Sequence, residues 1–233
     1  MILVLWALTP MYNTCFTPQR VCQRNLVTSK AANICLSATL DFTGDSSDTL
    51  QFEVVDTSKP SFIDWLQSSH SDAPLLGSSD IQLRPDGLWD CRQPRVAWFG
   101  VNLIPVFVNR IDRIPLSGTA IVSIVQARTD ILPDDKKRRV NQVIASVMEQ
   151  STFVGKSVIQ ARQYGDTSFT VSVDLSLTLQ VPLPPYLLLP PGFNMIGSSI
   201  IRNTCRTRTK IFLQSLVRAY QSWDGNESKL SSM

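Results

Sequence analysis

The chain has 233 residues, 43% of them hydrophobic, with 22 Lys and Arg, 19 Asp and Glu and a single histidine. That is enough for one large domain or two small ones with an ordinary core. Residues 1–40 hold Arg20, Arg24 and Lys30 and no acid, so the remainder balances at 19 bases and 19 acids. No nucleic-acid partner is expected, because such a partner needs basic charge on the folded body to release counterions.

Residues 1–40 read as a leader. Ile2 to Leu8 is an apolar run stopped by Pro10, too short to span a bilayer. The Ser, Thr, Asn and Gln that follow, with three bases, have the composition of an organelle transit peptide. A disordered tail and a secretory signal are the alternatives, and removal is expected around residues 35–42. Three of the five cysteines, Cys15, Cys22 and Cys35, lie in this leader. Cys91 and Cys205 remain, with no C-x-x-C pair, and are expected as reduced, buried thiols. With one histidine, His70, no metal or cofactor site is expected.

Asp41 to Asp48 reads as a loop, and Leu50 to Val55 as a first strand. Thr57 or Ser58 then caps a helix with Pro60 in its first turn. Phe62, Trp65, Leu66 and Ser69 give it one inward face, and the stretch from Asp72 to Gly77 ends it. Ile81–Arg84, the turn residues Pro85-Asp86-Gly87 and Leu88–Cys91 predict a hairpin. Arg95 to Asn109 is largely apolar, interrupted by Gly100 and Pro105, which suit a bulge or an edge. Ile111–Leu116 and Ala120–Ile131 are further strands, separated by Ser117-Gly118.

Pro133 to Arg139 is a charged loop whose Lys136-Lys137-Arg138-Arg139 reads as a solvated hairpin end, or else as a nuclear signal or a lipid contact. Residues 140–154 match helical spacing through Val140, Val143, Ile144, Val147 and Met148, and one strand face less cleanly. Lys156 to Tyr164, between Gly155 and Gly165, is another strand.

Phe169 to Leu183 alternates without a break: Phe169, Val171, Val173, Leu175, Leu177, Leu179, Val181 and Leu183 are apolar, and the residues between them are polar or proline. Period two marks a strand with one buried and one wet face. A strand of about 15 residues runs roughly 50 Å, so it must curve around something. Pro182, Pro184 and Pro185 end its pairing. Tyr186 to Leu189 and Pro190-Pro191-Gly192 follow.

Residues 193–223 contain no proline and predict a helix about 46 Å long. Ile196, Ile200, Thr204, Ile211, Leu216, Ala219, Tyr220 and Trp223 form its apolar stripe. Arg202, Arg206, Arg208, Lys210 and Arg218 are available to the other side. Gly197 permits close approach of another backbone, and Gly225 suits a stop. The sequon at Asn226 is treated as chance, in a tail over 226–233 that is expected to be disordered.

The alternating strand Val171–Leu183, the step Leu183-Pro184-Pro185, the clamp Leu187–Pro191, Gly197 and the helix closing on Tyr220-Gln221-Ser222-Trp223 resemble, as a series, a family of uncharacterised cyanobacterial and plastid proteins, domain of unknown function 1997. Relatives usually carry an acid where this chain has Ala219. Ile144 to Met148 looks like a strand of the plant members, which turns residues 140–154 toward strand. Clear resemblance covers about residues 140–223. In element order the family is similar to START-like (SRPBCC) helix-grip domains. The fold class expected is therefore α+β, a curved antiparallel sheet wrapped around a long C-terminal helix, in one domain over residues 41–225. Residues 50–223, taken element by element, give the same order.

The resemblance implies a chloroplast protein of the stroma or the stromal side of the thylakoid. Because a sheet bent around a helix often leaves an apolar cavity, the first functional reading is a non-enzymatic module binding a hydrophobic small molecule such as a lipid, pigment or quinone. The ligand-pocket candidates are Phe169, Val171, Val173, Leu175 and Leu177 on the strand, with Ile196, Ile200 and Ile211 on the helix; a solid core without a cavity is the alternative. A second reading is an assembly factor of photosynthetic membranes, with Arg202, Arg206, Arg208 and Lys210 contacting an acidic protein or anionic headgroups, against the plain reading of a solvated helix face. Catalysis is not expected. His70 sits in a polar loop, and Asp90, Asp174 and Glu149 show no matched carboxylate spacing.

Overall fold

The structure is a computed structural model, and it describes residues 39–54, 56–78, 80–93, 95–98, 101–131, 150–182 and 192–225. The charged loop 133–139, most of the stretch 140–154, the Tyr186–Leu189 clamp and both termini lie outside these residues.

The elements in chain order are β1 (Thr39–Glu53), α1 (Phe62–Gln67), a 3-10 turn (Ser69–Ser71), α2 (Asp72–Leu76), β2 (Asp80–Leu83), β3 (Trp89–Arg92), β4 (Val96–Trp98), β5 (Val101–Ile114), a 3-10 turn (Pro115–Ser117), β6 (Thr119–Ile131), β7 (Thr152–Gln163), β8 (Ser168–Pro182) and α3 (Phe193–Ser222). One antiparallel sheet runs β1-β8-β7-β6-β5-β3-β2, with β4 also on β5. β3 and β4 are successive segments along the same partner, so the sheet is seven strand positions wide. The architecture is a helix grip: a curved sheet with a long helix against one end of it.

The alternation in β8 fixes the inner side. Phe169, Val171, Val173, Leu177 and Leu179 are buried and the intervening residues are not. The registers carry this side across the sheet, as in the row Ser46–Leu175–Ser157–Val122–Ile111. Between β5 and β6 the register jumps from Val108↔Gln126 to Asn109↔Ile124. Val125 is therefore an extra residue, left exposed, and such a bulge bends its strand.

The sequence reading needs three corrections here. Residues 41–48 are not a loop. They belong to β1, which pairs with β8 from Thr39↔Pro182 to Glu53↔Ser168. Their outward residues are polar because β1 is an outer strand, and only Phe42 and Gly44 on the inner side are fully buried. The first helix is capped by Ser61, whose Oγ accepts from Asp64 N at 3.1 Å, rather than by Thr57 or Ser58. It is also two short helices with a 3-10 turn between them, and Gly77 closes the second at φ 60°. The guanidinium of Arg113 on β5 holds this segment by donating to Leu66 O, Ser68 O, Ser71 Oγ and the Asp72 carboxylate.

The long helix α3 packs chiefly on β1 and less on β8. Its buried positions are Gly197, Ile201, Cys205, Thr209, Leu213, Leu216, Val217 and Tyr220, mostly four apart, which traces one slowly winding face. This corrects the expected stripe: Ile196 and Ile211 are exposed and Ile200 is half-buried. Backbone proximity is the reason. A Cβ on Gly44 would stand 2.6 Å from Ile201 Cγ2 and 3.0 Å from Arg202 N, and a Cβ on Gly197 would overlap the Phe42 ring. At such spacing the contact face needs small side chains, and a count of large apolar residues points to a neighbouring face. Thr209 can be buried because its hydroxyl donates to Cys205 O at 2.9 Å.

At the other end of α3 the Tyr220 hydroxyl donates to Pro60 O at 2.9 Å, and Lys59 Nζ donates to Gln221 O at 3.1 Å. Tyr220 also lies edge-on to Phe62, centroids 5.2 Å apart. Gly197→Val is expected to lower the unfolding free energy by about 1–3 kcal/mol through overpacking, read as a lower urea midpoint. An unchanged midpoint would show that helix and strand are farther apart.

Candidate functional site

The sheet and α3 bring together only part of the set expected from sequence. Phe169, Val171 and Val173 lie in one buried cluster with Leu213, Leu216, Val217 and Tyr220 of α3. Leu177 lies in another with Phe42, Leu179, Ile201 and Cys205. Leu175 is half-buried and packs against this second cluster, flanked in its row by half-buried Ser46 and Ser157. Ile196 and Ile211 point to solvent and Ile200 lies at the margin, so these three do not face the sheet as expected.

Among the described residues, a concavity of about 300 Å³ is lined by Asp45, Ser46, Ser47, Lys156, Val158, Asp174, Leu175 and Ser176. Asp45, Ser47, Lys156, Val158, Asp174 and Ser176 belong to the outer side of the pleat, opposite to α3. The expected ligand space lies between sheet and helix, whereas this depression is behind the sheet.

The inner side of β3 and β5 carries polar groups that the sequence reading did not single out. Cys91 and Asn109 are fully buried and Gln93 is 6% exposed. Trp89, Cys91 and Gln93 alternate with Asp90 and Arg92, which was a readable signal of one buried side, obscured by the shortness of the run. Asn109 Nδ2 donates to Phe107 O at 3.2 Å. Burial pushes the Cys91 thiol up to about 11, partly opposed by a hydrogen bond from Asn109, and burial also raises Cys205. Both cysteines are free and buried.

The groups weighed for catalysis have other engagements. The His70 ring lies 5.2 Å from that of Trp223. Asp90 sits between Arg84 at 3.8 Å and Arg128 at 3.5 Å. Asp174 lines the outer depression, and Glu149 is outside the described residues. Among the described residues there is no group of three or more side chains able to hold a metal, and no helix is long and apolar enough to cross a membrane.

Of the expected surface contacts, Arg202, Arg206 and Lys210 are exposed, each one residue after a buried position of α3, while Arg208 is half-buried on another side. With Arg218 they make five cations on a helix without Asp or Glu, and none has an ion pair among the described residues.

No family model matches the sequence, and no curated protein does. Solved structures with similarity include major latex-like protein 151 of Panax ginseng, at 10% identity over 78% of this chain and 97% of that one, TM-score 0.39. A START superfamily protein of Mycobacterium smegmatis has 14% identity over 76% and 94%, TM-score 0.35. Norcoclaurine synthase of Thalictrum flavum, in complex with dopamine and hydroxybenzaldehyde, has 12% identity over 85% and 96%, TM-score 0.41.

A thiol raised by burial favours folding while it is neutral. Its contribution is full below about 9 and is lost as pH rises toward about 11, because the unfolded chain ionises first. Stability is therefore expected to fall between pH 9 and 11, and Cys91→Ala to flatten that fall, as read by urea midpoints across the range. An equal fall in the variant would mean that Cys91 is not the buried group responsible.

Proposed function

We propose that this chain binds an apolar small molecule, such as a lipid, pigment or quinone, between the inner side of its sheet and α3, without turning it over. The observation that supports this is the divided interior. The buried apolar residues form two clusters rather than one, with half-buried Leu175 packed against the second and flanked in its row by half-buried Ser46 and Ser157. A guest molecule inserted there would join the clusters and gain apolar contact on both sides. The fold alone would not justify the reading, since one fold hosts many activities.

The test is binding of the neutral fluorophore 1-aminoanthracene to the full chain, followed by its enhanced emission. Saturable binding is expected, weakened at least tenfold by Ser157→Trp, with the melting temperature of the variant little changed. Absence of saturable binding would contradict the reading.

A second reading has its own observation. Five cations on an acid-free helix, none in an ion pair among the described residues, suit an anionic membrane surface or an acidic protein. Sedimentation with phosphatidylglycerol vesicles, lost at high salt and in Arg202→Gln/Arg206→Gln/Lys210→Gln, is the expected result; salt-insensitive or absent binding would remove this reading.

The acid-free composition of residues 1–40 and the strand–proline–helix series support membership of the plastid and cyanobacterial family and delivery to a plastid. A fluorescent fusion of residues 1–45 is expected to accumulate in plastids, and a cytosolic signal would contradict it.

A further inference from the structure

Two buried amides on the inner side of β3 and β5 have polar atoms without a partner among the described residues. Neither Gln93 Oε1 nor Gln93 Nε2 has a partner among the described residues, and Asn109 Oδ1 has none either. The residues are 6% and 0% exposed. The orientation of the Asn109 amide follows from its bond to Phe107 O, which requires the NH₂ on that side and leaves the oxygen orphaned.

Buried polar side chains are nearly always satisfied, and each exception calls for a missing partner. Both amides are on one side of the sheet. Asn109 is opposite Trp89, and Gln93 continues the pleat of Trp89 and Cys91, with its backbone N–H on Pro105 O at 2.8 Å. Four residues of strand separate the two levels, about 13 Å.

Resting on the reading that an apolar guest occupies this inner side, we propose that Gln93 and Asn109 are its polar contacts, and that the guest is an elongated, uncharged molecule with a hydroxyl near each end. Gln93 offers an acceptor and a donor, which is what a hydroxyl requires, and Asn109 offers an acceptor. A carboxylate at the Asn109 end would be repelled by the amide oxygen there. Arg113, the cation that the register places on the inner side of β5, is engaged with Asp72 and three backbone or hydroxyl oxygens.

The experiment displaces 1-aminoanthracene from the full chain with three neutral molecules of matched size: decane-1,10-diol, whose extended length is of the order of the spacing, undecan-1-ol and dodecane. Each hydroxyl is expected to tighten binding about fivefold, so that the diol binds better than the alcohol and the alcohol better than the alkane. Decanedioate is expected to displace poorly. Gln93→Leu and Asn109→Leu should each reduce the diol to the affinity of the alcohol, leaving the alkane unchanged. Gln93→Leu should also melt about 2 °C higher without ligand, because an unsatisfied buried group has been removed.

Equal displacement by all three molecules would overturn the assignment while leaving an apolar site standing. Failure of 1-aminoanthracene to bind would overturn the apolar site and this inference with it. A lower melting temperature of Gln93→Leu would show that this amide has structural partners, and would also overturn it.

Discussion

The close seating of α3 on β1 is the contact that the rest of the molecule depends on. Gly44 and Gly197 let strand and helix approach until the Phe42 ring fills the place of a side chain at 197. The Thr43 amide donates to Ser198 Oγ at 3.2 Å, so the helix also supplies a partner to the backbone of an outer strand. A sheet edge without such cover is a template for pairing with another chain. The same seating explains why the buried face of α3 runs through Gly197, Cys205 and Thr209 beside Ile201, which packs over Gly44, while Ile196 and Ile211 face water.

At its far end α3 is held differently, by aromatic rings and two hydrogen bonds to the segment before α1. The interior therefore has two anchored ends, a small-residue contact at Gly197 and an aromatic knot at Tyr220, and its buried apolar residues fall into two clusters. Leu175, Ser46 and Ser157 mark one level of the sheet, and Asn109 belongs to the next level up, in the direction of Gln93. The functional reading rests on this division and on the unpartnered amide atoms, not on the architecture, which an entirely solid core would share.

The elements with one strong local signal were legible in the sequence. β8 showed itself by unbroken alternation, the β2–β3 hairpin by Pro85-Asp86-Gly87, the β5–β6 turn by Ser117-Gly118, and α3 by a long proline-free stretch closed by Pro190-Pro191-Gly192 in front. Residues 39–48 were illegible as strand because an outer strand needs few apolar side chains; its identity comes from pairing with β8. The face of α3 was misread because ranking residues by hydrophobicity fails where a contact selects for smallness. Gln93 and Asn109 escaped notice because polar residues in strands are ordinary, and only burial without a partner makes them informative.

Native-state hydrogen exchange at single-residue resolution tests the seating of α3 on β1 most directly. If the helix covers β1, the Thr43 amide exchanges slowly in the native protein, and Ser198→Ala speeds its exchange without speeding that of the β7–β8 ladder. Rapid exchange of Thr43 in the unaltered chain, or no response to the substitution, would mean that the helix stands away from the strand.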